Sequence, residues 1–186
     1  NSLIEVCDYL YKKNSDGANE VINTLEKKYM KHVDELYSTQ EMKETTRKFL
    51  ADEFRYLRSF TKDIFTSFEE RIIVAQGEVI STNMVVNYLK EIGIKALLID
   101  ALDFMRTDKN AEPDAHYIKE HLSEIMSANK GYQIYITQGF ICRNAYGEVD
   151  NLQRGGSDYT ASLIGAALMA DEIIIWTDID GMHNND

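Results

Sequence analysis

The stretch from residue 153 to 181 places residues suited to anion binding directly in front of a predicted helix. It reads QRGGSDYTASLIGAALMADEIIIWTDIDG, with Arg154, two glycines, Ser157 and Asp158 ahead of a long apolar run. The first amide N–H groups of a helix lack partners, and the helix dipole adds positive potential there. Arg154 adds a forked cationic donor that fits a carboxylate or a phosphate. The stretch predicts an anion site, and a plain helix cap by Ser157 or Asp158 is the alternative.

The second half of the chain alternates helical and strand-like patterns. The apolar runs IKALLID, YQIYITQ and EIIIWTD predict strands, and apolar residues at helical spacing precede each of them. Such alternation predicts crossover units and an α/β fold, with a mostly parallel sheet and helices on both faces. The predicted strands cover residues 94–100, 132–137 together with Gln138, and 172–178. The predicted helices cover 78–92, 114–129 and 158–169.

The first half of the chain, up to about Gly93, is helical almost throughout. Apolar residues recur at three- and four-residue spacing, with Lys and Glu between them. Residues 17–65 are interpreted as an inserted helical hairpin whose charged stripes are a solvated surface. Gly93 is predicted to end the helix that precedes the first strand.

Four polar clusters lie next to the predicted strands. Asp100 ends the first strand, TQGF at 137–140 ends the second, and TDIDG at 177–181 ends the third. RGGSD at 154–158 opens the helix that leads into the third strand. Ligands of open α/β sheets bind at the carboxyl ends of the strands. The four clusters therefore predict one ligand site at that edge.

Composition excludes several classes of function. The formal net charge is −11, and no basic block is present to bind a phosphate backbone, so no nucleic-acid partner is expected. No apolar run reaches 18 residues, so no membrane association is expected. Cys7 and Cys142 lie far apart in no metal-like spacing, which indicates reduced thiols and a cytoplasmic location.

Four motifs together carry a resemblance to a known family. RGGSDYTA, WTDIDG, QGFI and QGE, at the spacing they have in this sequence, resemble the motifs of the aspartokinases of the amino acid kinase family. The resemblance runs from about Phe68 to Asp186. It implies an αβα sandwich and phosphorylation of the aspartate side-chain carboxylate by ATP with Mg²⁺. That reaction is the first step towards lysine, threonine and methionine. The resemblance also implies a homo-oligomer for the full-length protein.

The resemblance also assigns roles to residues, and it assigns no protein ligand to a metal. Asp158 and Arg154 are the implied catalytic residues. The implied aspartate-binding residues are Glu78, which accepts the ammonium group, Phe140, Arg154, Gly155, Gly156 and Ser157. The implied nucleotide-binding residues are Thr177, Asp178, Asp180 and Gly181. For Glu78, the alternative is a surface position beside a close helix–strand contact at Gly77.

Two family features do not occur in residues 1–186. These are an opening strand with a KFGGT-like loop, whose lysine contacts phosphate, and the regulatory ACT domains. The stretch is therefore interpreted as part of one aspartokinase-like catalytic domain, and we expect it to be inactive alone. Two alternatives stay open. One is an amino acid kinase acting on another carboxylate or on carbamate, and the other is a non-catalytic binding or regulatory domain of the same fold.

Overall fold

The computed structural model describes residues 2–62, 64–152 and 156–176 of the chain. Its first four helices form one packed unit. No helix among the described residues is long and apolar enough to cross a membrane. The helices are α1 (Ser2–Tyr11), α2 (Ser15–Leu36), α3 (Gln40–Ser59) and α4 (Ser67–Glu91).

Side-chain caps explain where these helices begin. The Asn14 side chain accepts a hydrogen bond from the Gly17 N–H at the start of α2. Thr66 and Glu69 form a capping box at the start of α4. At the other end of α4, Gly93 has a φ of +82°, the left-handed conformation that ends many helices. The predicted end of this helix at Gly93 is confirmed.

A first hydrophobic core lies between α1, α2, α3 and α4. Ile22 of α2, Leu50 and Phe54 of α3 and Ile73 of α4 are fully buried in it. The two helices of the predicted hairpin therefore each bury one face while their charged stripes stay exposed. Because α4 contributes to this core and also contacts the sheet, it joins the two halves of the chain.

The second half forms short strands and two helices. Strands β1 (Ala96–Ile99) and β2 (Ile134–Thr137) pair in parallel, with Leu97 opposite Tyr135 and Ile99 opposite Thr137. A 3₁₀ turn at Ala101–Asp103 follows β1. The elements are β1 (Ala96–Ile99), α5 (Ala115–Ala128), β2 (Ile134–Thr137), β3 (Ile141–Arg143), β4 (Val149–Asn151) and α6 (Gly156–Leu168).

Helices cover both faces of the β1–β2 pair, as the sequence predicts. Ile99, Tyr135 and Thr137 face a space shared with Leu122 of α5 and Ile164 of α6. Side chains alternate between the two faces of a strand, so Gln138 lies on the opposite face from Tyr135 and Thr137. Its side chain donates a hydrogen bond to Thr82 of α4. The structure therefore places α4 on one face and α5 and α6 on the other.

The prediction of a mostly parallel sheet is not confirmed. Among the described residues, only β1 and β2 are parallel, while β3 and β4 form an antiparallel pair that the sequence analysis missed. The predicted third strand is wrong for its described part, because residues 172–176 form no strand. A β-branched run becomes a strand only beside a neighbour that completes its hydrogen bonds. Here Ile174 is 61% exposed and Trp176 is 92% exposed.

Candidate functional site

The carboxyl ends of β1 and β2 meet at Gln138. Its side chain is 2% exposed, and its Oε1 accepts the Ala101 N–H, just beyond β1, at 2.8 Å. Its Nε2 donates to Thr82 Oγ1 of α4 at 3.2 Å. A buried amide is stable only when such partners satisfy it. Gln138 therefore fixes the ends of both strands against α4.

The residues after Gln138 pack directly on the first turn of α6. A Cβ atom on Gly139 would lie 3.0 Å from Ser157 Cβ and 3.1 Å from Ser157 Cα. A Cβ atom on Gly156 would lie 2.9 Å from Phe140 Cδ2. Neither contact leaves room for a side chain. The structure therefore brings together four residues that the sequence singles out, Gly139 and Phe140 from the strand end and Gly156 and Ser157 from the helix start.

The backbone of Phe140 is held on both sides. Its N–H donates to Thr160 Oγ1 at 3.1 Å, and its carbonyl oxygen accepts the Leu152 N–H at 2.7 Å. Phe140 has a φ of +70°, which is rare for a bulky residue. The loop between β2 and β3 is therefore tied to α6 and to the segment before it.

The first turn of α6 is open to solvent at Ser157 and Asp158, where a ligand could reach it. Ser157 and Asp158 are exposed, whereas Gly156 is buried beneath Phe140. The leading amide N–H groups of this 13-residue helix lie beside the loop that follows β2. Exposed donors and the helix dipole make this turn suitable for an anion.

Glu78 lies on the face of α4 that points towards the carboxyl ends of β1 and β2. Only residues 92–95 separate α4 from β1, so helix and strand run in opposite directions and the start of α4 lies towards the strand ends. Thr82 already contacts Gln138 at the end of β2. Glu78 is one turn earlier on the same face, about 6 Å further towards that edge. Burial raises the pKa of its half-buried carboxyl above the usual range.

Gly77 makes a close contact, but not with a strand. A Cβ atom there would lie 3.4 Å from Leu3 Cδ1 of α1, which is an ordinary contact distance. The alternative interpretation of a helix–strand contact at Gly77 is therefore wrong, and Glu78 is half-buried. Burial raises the pKa of Tyr29 in α2, and the Glu78 charge adds to this rise.

Several predicted site residues lie outside the described residues. These are Arg154, Gly155, Thr177, Asp178, Asp180 and Gly181. Their assignments stay predictions. Within the described residues, no group of three or more His, Cys, Asp and Glu side chains is arranged to hold a metal ion.

Thr82 and Thr160 are two site residues that the sequence analysis did not single out. Both are hydroxyls on helices, and each bonds to the loop that follows β2. Their positions carry a weak sequence signal. Thr82 comes one turn after Glu78, and Thr160 one turn after Gly156, so each shares a helix face with a predicted site residue.

Comparison with known proteins matches residues 15–186 to the amino acid kinase family. Lysine-sensitive aspartokinase 3 of Escherichia coli K12 is 40% identical over 119 residues, which cover 61% of this chain and 26% of that protein. The aspartokinase of Chlamydia muridarum is 34% identical over 117 residues, again 61% of this chain and 26% of the relative. The chain thus spans about a quarter of the length of these curated relatives.

Solved structures give the same relationship. E. coli aspartokinase III in complex with aspartate and ADP, in its R state, matches with a TM-score of 0.75 at 25% identity. The match covers 95% of this chain and 41% of that one. The aspartate kinase of Clostridium acetobutylicum matches with a TM-score of 0.70 at 24% identity, over 95% of this chain and 37% of that one, and shows the shared fold.

Proposed function

This chain belongs to the amino acid kinase family, and from that premise we propose that its protein transfers the γ-phosphoryl group of ATP to the side-chain carboxylate of L-aspartate. The product is 4-phospho-L-aspartate, on the route to lysine, threonine and methionine. Support comes from the aspartokinases among its relatives and from a related structure that holds aspartate and ADP. Homo-oligomerisation and a cytoplasmic location stay predictions, and the two buried free cysteines are consistent with the latter.

The observation that carries the proposal is the contact between the end of β2 and the start of α6. Gly139 and Phe140 lie against Ser157 and Gly156, so the loop and the open helix turn form one wall. Glu78 lies towards the same edge from α4. A pocket for an amino acid needs a carboxylate for the ammonium group and donors for the acidic groups. The first turn of α6 and Glu78 supply these two functions from different elements.

The charges of the site residues indicate which part of aspartate each of them binds. Glu78 accepts the ammonium group, and a cation next to its half-buried carboxylate stabilises the charged form. Arg154 pairs with the α-carboxylate through its forked donors. The α6 amides and Ser157 lie beside the reacting end. Phe140, whose ring packs on Gly156, bounds the pocket on the side of the strand.

The chemistry requires charge placement rather than proton removal. A carboxylate near pKa 4 is already ionised at neutral pH, so it needs no general base. The difficulty is bringing this anion up to the phosphate tail of ATP, which depends on positioning and on cations. Asp158 therefore acts as an organiser of a cationic group near the transferred phosphate, not as a proton acceptor.

Among the described residues, the carboxylate of Asp158 is suited to the Mg²⁺ ion of a bound nucleotide. Mg²⁺ prefers carboxylate and phosphate oxygens and keeps several waters, so one exposed carboxylate beside the phosphates suits it. Asp158 is exposed at the first turn of α6. When bound, the ion would supply neutralisation of phosphate charge. The nucleotide contacts at Thr177, Asp178, Asp180 and Gly181 are proposed from the family resemblance.

The test uses the full-length protein that contains this chain. It is incubated with MgATP and L-aspartate, and the acyl phosphate is trapped with hydroxylamine while ADP release is followed. We expect equal amounts of hydroxamate and ADP, both dependent on aspartate. Preference for L-glutamate or carbamate over aspartate would assign the protein to another activity within the family. Binding of ATP and aspartate without turnover would identify a non-catalytic domain.

A further inference from the structure

Phe140 has a backbone conformation that the chain must hold in place. Its φ of +70° lies in the left-handed region, which a bulky side chain adopts only under strain. Glycine would take this conformation freely, but the chain places a large aromatic residue there. The strain persists only because surrounding contacts fix the residue.

The hydroxyl of Thr160 is the side-chain group that fixes it. Thr160 is 2% exposed, and its Oγ1 accepts the Phe140 N–H at 3.1 Å. The same hydroxyl donates to the Gly156 carbonyl oxygen at 2.6 Å. One buried hydroxyl therefore joins the strained loop residue to the first turn of α6.

This link sets the distance between two walls of the candidate site. Thr160 lies one turn after Gly156, so its position moves with the helix start that carries Ser157 and Asp158. Phe140 is packed on Gly156, where its Cδ2 leaves no room for a Cβ. If the Phe140 N–H lost its acceptor, it would be an unsatisfied donor at a strained residue, and the loop would relax away from α6.

We propose that Thr160 is a positioning residue for aspartate binding, which holds Phe140 in its left-handed conformation over the first turn of α6. The inference rests on the proposed function, because it names the substrate whose affinity depends on this contact. Thr160 touches neither substrate nor nucleotide in this role. Its loss acts through Phe140, so it weakens aspartate binding and leaves nucleotide binding nearly unchanged.

The test compares two variants of the full-length protein. Thr160→Val keeps the shape of the side chain and removes the hydroxyl, while Thr160→Ser keeps the hydroxyl. We expect Thr160→Val to raise the KM for L-aspartate about tenfold, in line with a part-buried donor left unpaired. The KM for ATP stays within about twofold, and Thr160→Ser resembles the wild type. A purely structural residue would lower the thermal stability without separating the two KM values.

A second measurement reads the contact directly. Amide hydrogen exchange of Phe140 should be slow in the wild type and in Thr160→Ser, and faster in Thr160→Val. Unchanged exchange and an unchanged aspartate KM in Thr160→Val would overturn the inference, as would equal rises in both KM values. Fast exchange at Phe140 in the wild type would overturn it without any variant. Absence of aspartate-dependent turnover in the wild type would overturn the proposed function, and the exchange comparison would still decide whether Thr160 holds the loop.

Discussion

The side chains of Gln138 and Thr82 connect the sheet edge to α4 through a hydrogen bond of 3.2 Å from Nε2 to Oγ1. The Thr82 hydroxyl in turn donates to the Glu78 carbonyl oxygen at 2.7 Å. The same Gln138 side chain accepts the Ala101 N–H. One buried amide therefore sets the position of the helix turn that carries Glu78 relative to both strand ends.

Removing the Thr82 hydroxyl should disturb this connection. Thr82→Val leaves the buried Gln138 Nε2 without its acceptor, at a cost of about 1–3 kcal/mol. We expect a lower melting temperature and a higher KM for aspartate, because the turn with Glu78 loses its anchor. Thr82→Ser keeps the hydroxyl and serves as the matched control. A wild-type melting temperature and a wild-type KM for aspartate in Thr82→Val would show that the hydrogen bond between Gln138 and Thr82 contributes neither to stability nor to substrate binding.

The sequence predicts the helices better than the sheet, for a physical reason. Helix signals are local, since caps such as Thr66 and Glu69 and the glycine at 93 act within one turn. A strand depends on neighbours distant in sequence. The run at 94–100 becomes β1 because β2 pairs with it, whereas the equally apolar residues 172–176 form no strand.

The site shows the same division between local and distant causes. The helix start at Gly156 and the polar residues after β2 follow from local patterns. The left-handed conformation of Phe140 does not, because nothing in GFIC favours a positive φ for phenylalanine. It results from the contacts with Thr160, Gly156 and Leu152, which only the folded chain brings together.

The ammonium group of the substrate should be required. Succinate keeps both carboxylates of aspartate and lacks only the amine, so it would leave the half-buried Glu78 without a partner, at a cost on the order of 1–3 kcal/mol. We expect the full-length enzyme to phosphorylate L-aspartate and to leave succinate unchanged. Hydroxamate formation from both compounds, assayed side by side, provides the measurement. Equal yields would remove Glu78 from the ammonium site.

Asp158 and Arg154 should differ in which kinetic constant they change. Asp158→Asn should lower kcat strongly while the aspartate affinity stays within a few-fold, because the proposed role of this carboxylate is to organise charge at the transferred phosphate. Arg154→Ala should instead raise the KM for aspartate, since it removes a charge-assisted pair worth roughly 1.5–3 kcal/mol. Steady-state kinetics of both variants of the full-length enzyme tests the division. Near-normal turnover in Asp158→Asn would reduce that residue to a helix cap.

Aspartate binding should weaken on acidification earlier than an ordinary glutamate would require. Burial raises the pKa of Glu78, and only the ionised carboxylate attracts the ammonium group. The KM for aspartate should therefore rise as the pH falls through this raised pKa. Glu78→Gln should have a high KM for aspartate that does not rise further as the pH falls. Glu112 is exposed, so Glu112→Gln should keep the wild-type dependence of KM on pH. Measuring the KM from about pH 8 to pH 5 covers the range above the usual glutamate value. Identical profiles for the wild type and Glu78→Gln would contradict the assignment.

The same shift has an opposite consequence for stability. With a raised pKa, native Glu78 binds more protons than the unfolded chain, so its contribution to stability is present at low pH and is lost as the pH rises through the folded-state pKa. Glu78→Gln should therefore gain stability relative to the wild type as the pH increases across that interval. Thermal unfolding of both proteins at matched pH values measures the difference. A gain that instead grows towards acid pH would mean that the carboxylate is stabilised by a partner.

Two glycines should respond to alanine in opposite ways. In Gly139→Ala the new methyl group would lie 3.1 Å from Ser157 Cα, a backbone atom that cannot yield without moving the start of α6. We expect a loss of about 1–3 kcal/mol from overpacking and a fall of roughly tenfold or more in kcat/KM for aspartate.

In Gly77→Ala the methyl group meets only Leu3 Cδ1 at 3.4 Å, in the interior of α4. Alanine should therefore stabilise the protein by about 0.5–1 kcal/mol and leave kcat/KM within about twofold. Chemical denaturation and steady-state kinetics of both variants test the pair. A tolerated Gly139→Ala would mean that the loop after β2 and the first turn of α6 do not touch as closely as the site requires.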